Sequence, residues 1–191
     1  HPTLPFLALN EERVMLSDAL LGLEVVGFHA TTRTNFAAGE VTGLEALMSF
    51  AGRAHFPSHH LMVRNAEGGW WKGISSRAEL QQAWEVMGSD AGTVWVETDM
   101  RAMCNPTRME AIARATEDLV ERLIARCTRC GKPGVGWVRW VPGLPCGVCG
   151  TPTEGPRQAV HQCPHCELEI HRDFPQGVQA ADPGDCPQCN P

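Results

Sequence analysis

The sequence predicts an α/β (or α+β) N-terminal domain over residues 1–126, followed by a small tandem zinc-ribbon segment over 127–191. Three observations predict it. Eight of the nine cysteines lie after residue 126, in four CxxC pairs. The upstream part alternates runs of strand period with runs of helix period. The 191 residues are 43% hydrophobic and 20% charged with a net charge of −6, which suits a folded globular chain rather than a disordered one. No run approaches the 18 or so apolar residues of a membrane span.

The elements follow in order. Glu12–Ser17 and Leu23–Phe28 are short apolar runs that read as two strands, a hairpin through Asp18 to Gly22, although Asn10 could instead cap a helix over the first. Thr31-Thr-Arg-Thr-Asn35 reads as a polar loop. Gly43–Gly52 places Leu44, Leu47, Met48 and Ala51 on one helical face. Pro57 breaks the chain, and Leu61–Arg64 and Trp70–Ile74 read as strands around the turn Glu67-Gly68-Gly69. Ser75 or Ser76 caps a helix to about Met87, Thr93–Glu97 is a strand, and Asn105-Pro106 starts a helix to about Arg126.

The four pairs are Cys127/Cys130, Cys146/Cys149, Cys163/Cys166 and Cys186/Cys189. Each CxxC turn offers two thiolates to one ion, and two turns complete a tetrahedral S4 shell suited to zinc. Disulfides would normally accompany a secretory signal, and none is visible. The pattern therefore implies two structural zinc ions and a reducing, cytoplasmic setting. The segment reads as a duplication of knuckle, strand, Pro-Gly turn and knuckle, which favours ligand sets 127/130/146/149 and 163/166/186/189. A nested arrangement stays open, because Thr151–Gln162 could be a hairpin of its own; an interleaved cross-brace is the third scheme. His161, His165 and His171 read as flanking residues, since the thiolates already fill the shells.

The densest polar stretch outside the cysteines runs from Glu97 to Arg108. Arg101 and Arg108 could clamp a phosphate or carboxylate, Asp99 or Glu97 could hold a metal or act as a base, and Asn105 could cap the helix. The bland alternative pairs the arginines with the acids. His59, with His55 and His60 around Pro57, and Lys72 on its strand are weaker candidates. Cys104 is a lone thiol beside Arg101 with no evident base. Charge argues against a nucleic-acid partner, with 16 Lys and Arg against 22 Asp and Glu, although Trp137 and Trp140 could stack on bases.

The runs Thr98-Asp-Met-Arg-Ala102 and Asn105-Pro-Thr-Arg-Met109 resemble the signature of an uncharacterised bacterial family, a domain of unknown function. Thr34-Asn-Phe36, Phe56-Pro-Ser-His59, Lys72-Gly73, Cys149-Gly-Thr-Pro-Thr153 and Ala181-Asp-Pro-Gly184 extend the resemblance over nearly the whole chain. It implies a further N-terminal stretch before His1-Pro2. It raises the weight on Asp99, Arg101, Asn105 and Arg108, and Cys104 departs from the residue it leads one to expect there.

The expectation is a zinc-binding protein whose α/β domain holds a small anionic ligand, a nucleotide or other phosphate, as a hydrolase or transferase. The alternative is a non-enzymatic adaptor whose ribbons dock a protein or nucleic acid.

Overall fold

A computed structural model describes residues 9–88 and 92–191; the expectation about His1-Pro2 lies outside them. The chain forms two compact units, His1–Arg13 with Phe28–Ala115 and Val14–Gly27 with Thr116–Pro191. Among the described residues nine strands and three α-helices give a mixed α and β architecture.

The chain enters through strands β1 (Asn10–Asp18) and β2 (Leu23–Thr31), which pair with each other. In the first unit a four-stranded sheet runs in the order β3 (Ala38–Thr42), β6 (Thr93–Thr98), β4 (Leu61–Arg64), β5 (Trp70–Ile74). Every pairing in it is antiparallel, with Leu61 opposite both Thr98 and Ile74. Of the two predicted classes this is the α+β one, so the rule that ligands gather at the carboxyl ends of parallel strands does not apply.

Alternation along the strands decides which face is covered. Leu61, Val63, Ile74, Val94 and Val96 pack with Leu47, Phe50 and Ala51 of α1 (Leu44–Arg53) and Leu80, Ala83 and Met87 of α2 (Arg77–Met87). The intervening residues form an aromatic–basic row, in which the Arg64 guanidinium lies 5.4 Å from the Trp70 ring and 5.6 Å from Trp95. Ser76 starts α2 through a full capping box with Glu79, as its sequence position predicts. Helix α3 covers Pro106–Ile124.

In the second unit β7 (Gly136–Pro142), β8 (Pro156–Gln162) and β9 (Glu169–Asp173) form an antiparallel meander. The sequence pattern assigns no strand at β3, and it offers β8 only as part of the alternative hairpin over Thr151–Gln162. Among the described residues no helix is long and apolar enough to cross a membrane.

Candidate functional site

The eight thiols converge as two tetrads, but not in the expected sets. Cys127, Cys130, Cys163 and Cys166 form one; Cys146, Cys149, Cys186 and Cys189 form the other. This is the interleaved scheme, and the tandem ligand sets are corrected by it. The reason is topological. Knuckles and strands alternate strictly along an antiparallel meander, so the chain reverses between successive knuckles. Register places Gly136 opposite Gln162 at one end of the sheet and Pro142 opposite Pro156 at the other. First and third knuckles therefore share one end, and second and fourth share the other.

Each tetrad has the dimensions of a tetrahedral site. Sulfurs 2.3 Å from a central zinc are separated by about 3.8 Å. The sulfur pairs Cys127–Cys166, Cys130–Cys163, Cys146–Cys189 and Cys149–Cys186 stand at 3.5, 3.7, 3.8 and 3.6 Å. These are far beyond disulfide length, and all eight cysteines are free thiols. Backbone amides aimed at sulfur favour thiolate. The amides of Cys130 and Arg129 pull Cys127 down to about 6, and the hydroxyl and amide of Thr151 do the same for Cys149, to about 6. Four adjacent thiols cannot all ionise unaided. Hydrogen bonding to Cys149 and burial push Cys189 up to about 12. A bound dication would relieve this repulsion. Each tetrad could hold a metal ion, and with four protein ligands no coordination position is left open.

Turn geometry supports the knuckles. The amides of Gly131, Gly150, Glu167 and Asn190 donate to the carbonyls of Cys127, Cys146, Cys163 and Cys186. In three of the four turns the residue after the second cysteine has a positive φ, and at two of them Gly131 and Gly150 supply it at 72° and 73°. Glu167 adopts 58° at the matching place without glycine's freedom.

In the first unit the polar run after β6 folds onto itself. Asp99 is fully buried because the β6–β4 ladder continues past the sheet: its amide donates to the His60 carbonyl at 2.8 Å, and the His60 amide to that of Cys104 at 2.9 Å. The Asp99 carboxylate receives Arg101 Nε and Nη2 as a fork, with Nε–Oδ1 at 2.9 Å, and also the Arg101 amide at 3.1 Å. Burial works against the Asp99 charge, yet the Arg101 hydrogen bonds and positive charge hold its pKa below the ordinary carboxylate value. Both of its oxygens serve Arg101, so the geometry gives it an orienting task rather than that of metal ligand or base. The Arg101 side chain keeps 49% of its surface exposed. Its Nη2 lies 3.0 Å from where a Cβ on Gly73 would stand, and Gly73 has φ 75°, so a side chain there would be strained and would crowd the guanidinium.

Asn105 is buried and does cap α3: its Oδ1 accepts the Arg108 amide at 3.0 Å, while its Nδ2 donates to Asn35 Oδ1 at 2.8 Å. Arg108 is spent internally, on Glu12 at 2.7 Å and on the Met100 carbonyl. Two buried polar atoms bordering this network, Asn35 Nδ2 and His60 Nδ1, have no hydrogen-bond partner among the described residues. Burial and the neighbouring Asp99 push the Cys104 thiol up, away from the reactive thiolate form.

His59 is buried and reaches the same helix end by another route, with Nε2 2.9 Å from Thr107 Oγ1. Its 55/59/60 neighbourhood does not gather three ligand atoms; among the described residues only the two cysteine tetrads do so. Lys72 stands apart, its ammonium 5.6 Å from the Trp70 ring centre. The structure thus joins Asp99, Arg101, Asn105 and Arg108, adds His59 at α3, and leaves Lys72 out. Sequence reading missed Gly73 as the seat of Arg101 and Thr107 as the partner of His59. Both lie within runs that carry the family resemblance, Lys72-Gly73 and Asn105-Pro-Thr-Arg-Met109, but membership of a run does not reveal contact.

The family model for a domain of unknown function, DUF6671, matches residues 1–191, and the chain belongs to that family. Neither the curated proteins nor the solved structures contain a match.

Proposed function

We propose that this member of the DUF6671 family is a two-zinc protein whose other unit binds a small anion through Arg101. One observation carries the anion reading: a fully buried carboxylate holds a half-exposed guanidinium in one orientation over a glycine. Asp99 occupies the Nε and Nη2 edge, and Nη1 has no hydrogen-bond partner among the described residues. A guanidinium fixed in advance loses little rotamer entropy on binding a carboxylate or phosphate. The finer reading is a nucleotide or another phosphate compound as ligand, with hydrolysis or transfer as the reaction class.

Titration calorimetry with inorganic phosphate and ATP tests this. Arg101→Ala should weaken binding at least about tenfold while melting temperature and zinc content stay unchanged. Unfolding of that variant would instead mark Arg101 as a structural ion-pair residue. Zinc itself is tested by native mass spectrometry, which should find two ions per chain.

The adaptor reading keeps one supporting observation. β7 is an edge strand, and it leaves Val138 43% and Trp140 39% exposed. A protein partner seated there would be lost on Trp140→Ala with both metal sites intact.

A further inference from the structure

Alternation sorts the two faces of the four-stranded sheet, and Arg101 stands on the open one. Val94 and Val96 of β6 belong to the core beneath the helices, so Trp95 and Glu97 face away from it. Asp99 continues that alternation, because its amide extends the β6–β4 ladder to the His60 carbonyl at 2.8 Å. On β5, Trp71 packs against the core, which turns Trp70 and Lys72 to the open face. From Asp99 the Arg101 guanidinium reaches across β4 to Gly73, the residue after Lys72.

Along β5 this face sets an ammonium and an indole beside the held guanidinium. Trp70 is 40% exposed, and the Lys72 ammonium rests 5.6 Å from its ring centre. Asp99 compensates the charge of Arg101, so Arg101 contributes directed hydrogen bonds rather than net charge. Lys72 has no carboxylate partner among the described residues, and the charge complementarity rests on it. The Glu97 carboxylate is turned to Trp95, whose Nε1 donates to it at 3.1 Å. Three residues of strand separate Gly73 from Trp70, roughly 10 Å. A nucleoside diphosphate spans such a distance between its terminal phosphate and its base. In the other direction the face closes. The Arg64 guanidinium lies between the rings of Trp70 and Trp95, and register sets Glu40 on β3 beyond Trp95. A nucleic-acid strand running on past Trp70 would meet that carboxylate, so the face fits one nucleotide.

We propose that the ligand of this face is a free nucleoside diphosphate, its phosphates on Arg101 and Lys72 and its base stacked on Trp70. The proposal rests on the anion reading of Arg101 and adds what separates a nucleotide from other phosphates. Lys72 lies outside the Asp99 network yet shares its face, and its ammonium exchanges the indole for phosphate. An exposed indole stacks on any base, so Trp70 selects for the presence of a base rather than its identity.

Titration calorimetry of the full zinc-loaded chain compares ADP with methyl diphosphate, which carries the same charge without sugar or base. ADP should bind at least about tenfold more tightly. Trp70→Ala should erase that difference while the affinity for methyl diphosphate stays at the wild-type value. Trp70→Phe keeps a ring in the same place and should keep most of the difference. Lys72→Ala should weaken both ligands alike. Equal affinity of the wild type for the two ligands would overturn the base platform and leave the anion reading standing. Binding of neither would overturn both. A loss in Trp70→Ala that methyl diphosphate shares would also overturn the platform. Tighter binding of a short oligoadenylate than of ADP would overturn the single-nucleotide site.

Discussion

The interleaved tetrads predict opposite outcomes for two double variants that remove the same number of thiols. Cys130→Ser with Cys166→Ser strikes one tetrad twice and leaves Cys146, Cys149, Cys186 and Cys189 whole. Cys130→Ser with Cys149→Ser strikes each tetrad once. Cys130 and Cys149 are exposed and Cys166 is half-buried, so none of these changes opens the core as loss of Cys127 or Cys163 would. A structural zinc site contributes on the order of 10 kcal/mol of apparent binding free energy, comparable with the whole stability of a small domain. The intact tetrad in the first variant should therefore keep a tightly held ion. The centres cap opposite ends of β8, seven residues long, which separates them by roughly 20 Å and favours independent occupancy. Native mass spectrometry should find one ion retained against a competing chelator in the first variant and none in the second. The reverse result would restore the tandem ligand sets. Loss of both ions from both variants would indicate the nested scheme, and either finding refutes the topological argument.

Three further outcomes follow from local geometry. Asp99→Asn should destabilise the first unit by about 2 kcal/mol, the scale of a hydrogen bond to a charged group, read by chemical denaturation. The folded pKa of Asp99 is depressed, so its contribution is complete above the ordinary carboxylate range and is lost as pH falls through the lower folded value. The gap between wild type and variant should accordingly close on acidification below about pH 4. Glu167→Gly should raise thermal stability by up to about 1 kcal/mol, since a left-handed non-glycine residue costs about 1–2 kcal/mol and glycine returns part of that as entropy; a lowered melting temperature would refute the strain. Leu61→Ala, at a fully buried position in the core of the first unit, should cost about 2–5 kcal/mol with zinc content unchanged.

Much of the fold was legible because its signals are local. Ser76 with Glu79 announces the start of α2, Asn105-Pro106 announces α3, and CxxC spacing announces ligands. β3 was hidden because Ala38-Gly-Glu-Val-Thr42 carries one large apolar residue, and its place comes from pairing with β6 rather than from its own pattern. β8 was hidden by Pro156 and by the polar residues Arg157, Gln158, His161 and Gln162 around a short Ala159-Val160 centre. Missing that strand changed the metal pairing. With one strand fewer between the second and third knuckles, the chain direction comes out wrong at every later knuckle. Ligand identity is a property of the four short turns, but ligand pairing is a parity property of the whole meander.

The polar run after β6 shows the opposite limit. Its residue types announced charge recognition, yet identical spacing serves either an open clamp or an internally paired network. What separates the two is burial, and burial depends on distant partners. Arg108 is claimed by Glu12, ninety-six positions away in the chain, and is removed from any clamp. Arg101 is claimed by Asp99 two positions back, and that short link holds it without covering it. The local pair can orient a guanidinium while leaving an edge to solvent; the long-range pair ties β1 to the first turn of α3. Of the two arginines, Arg101 is therefore the one whose removal should alter anion binding with little effect on folding. Arg108→Ala should lower the melting temperature without a matching change in affinity per folded molecule.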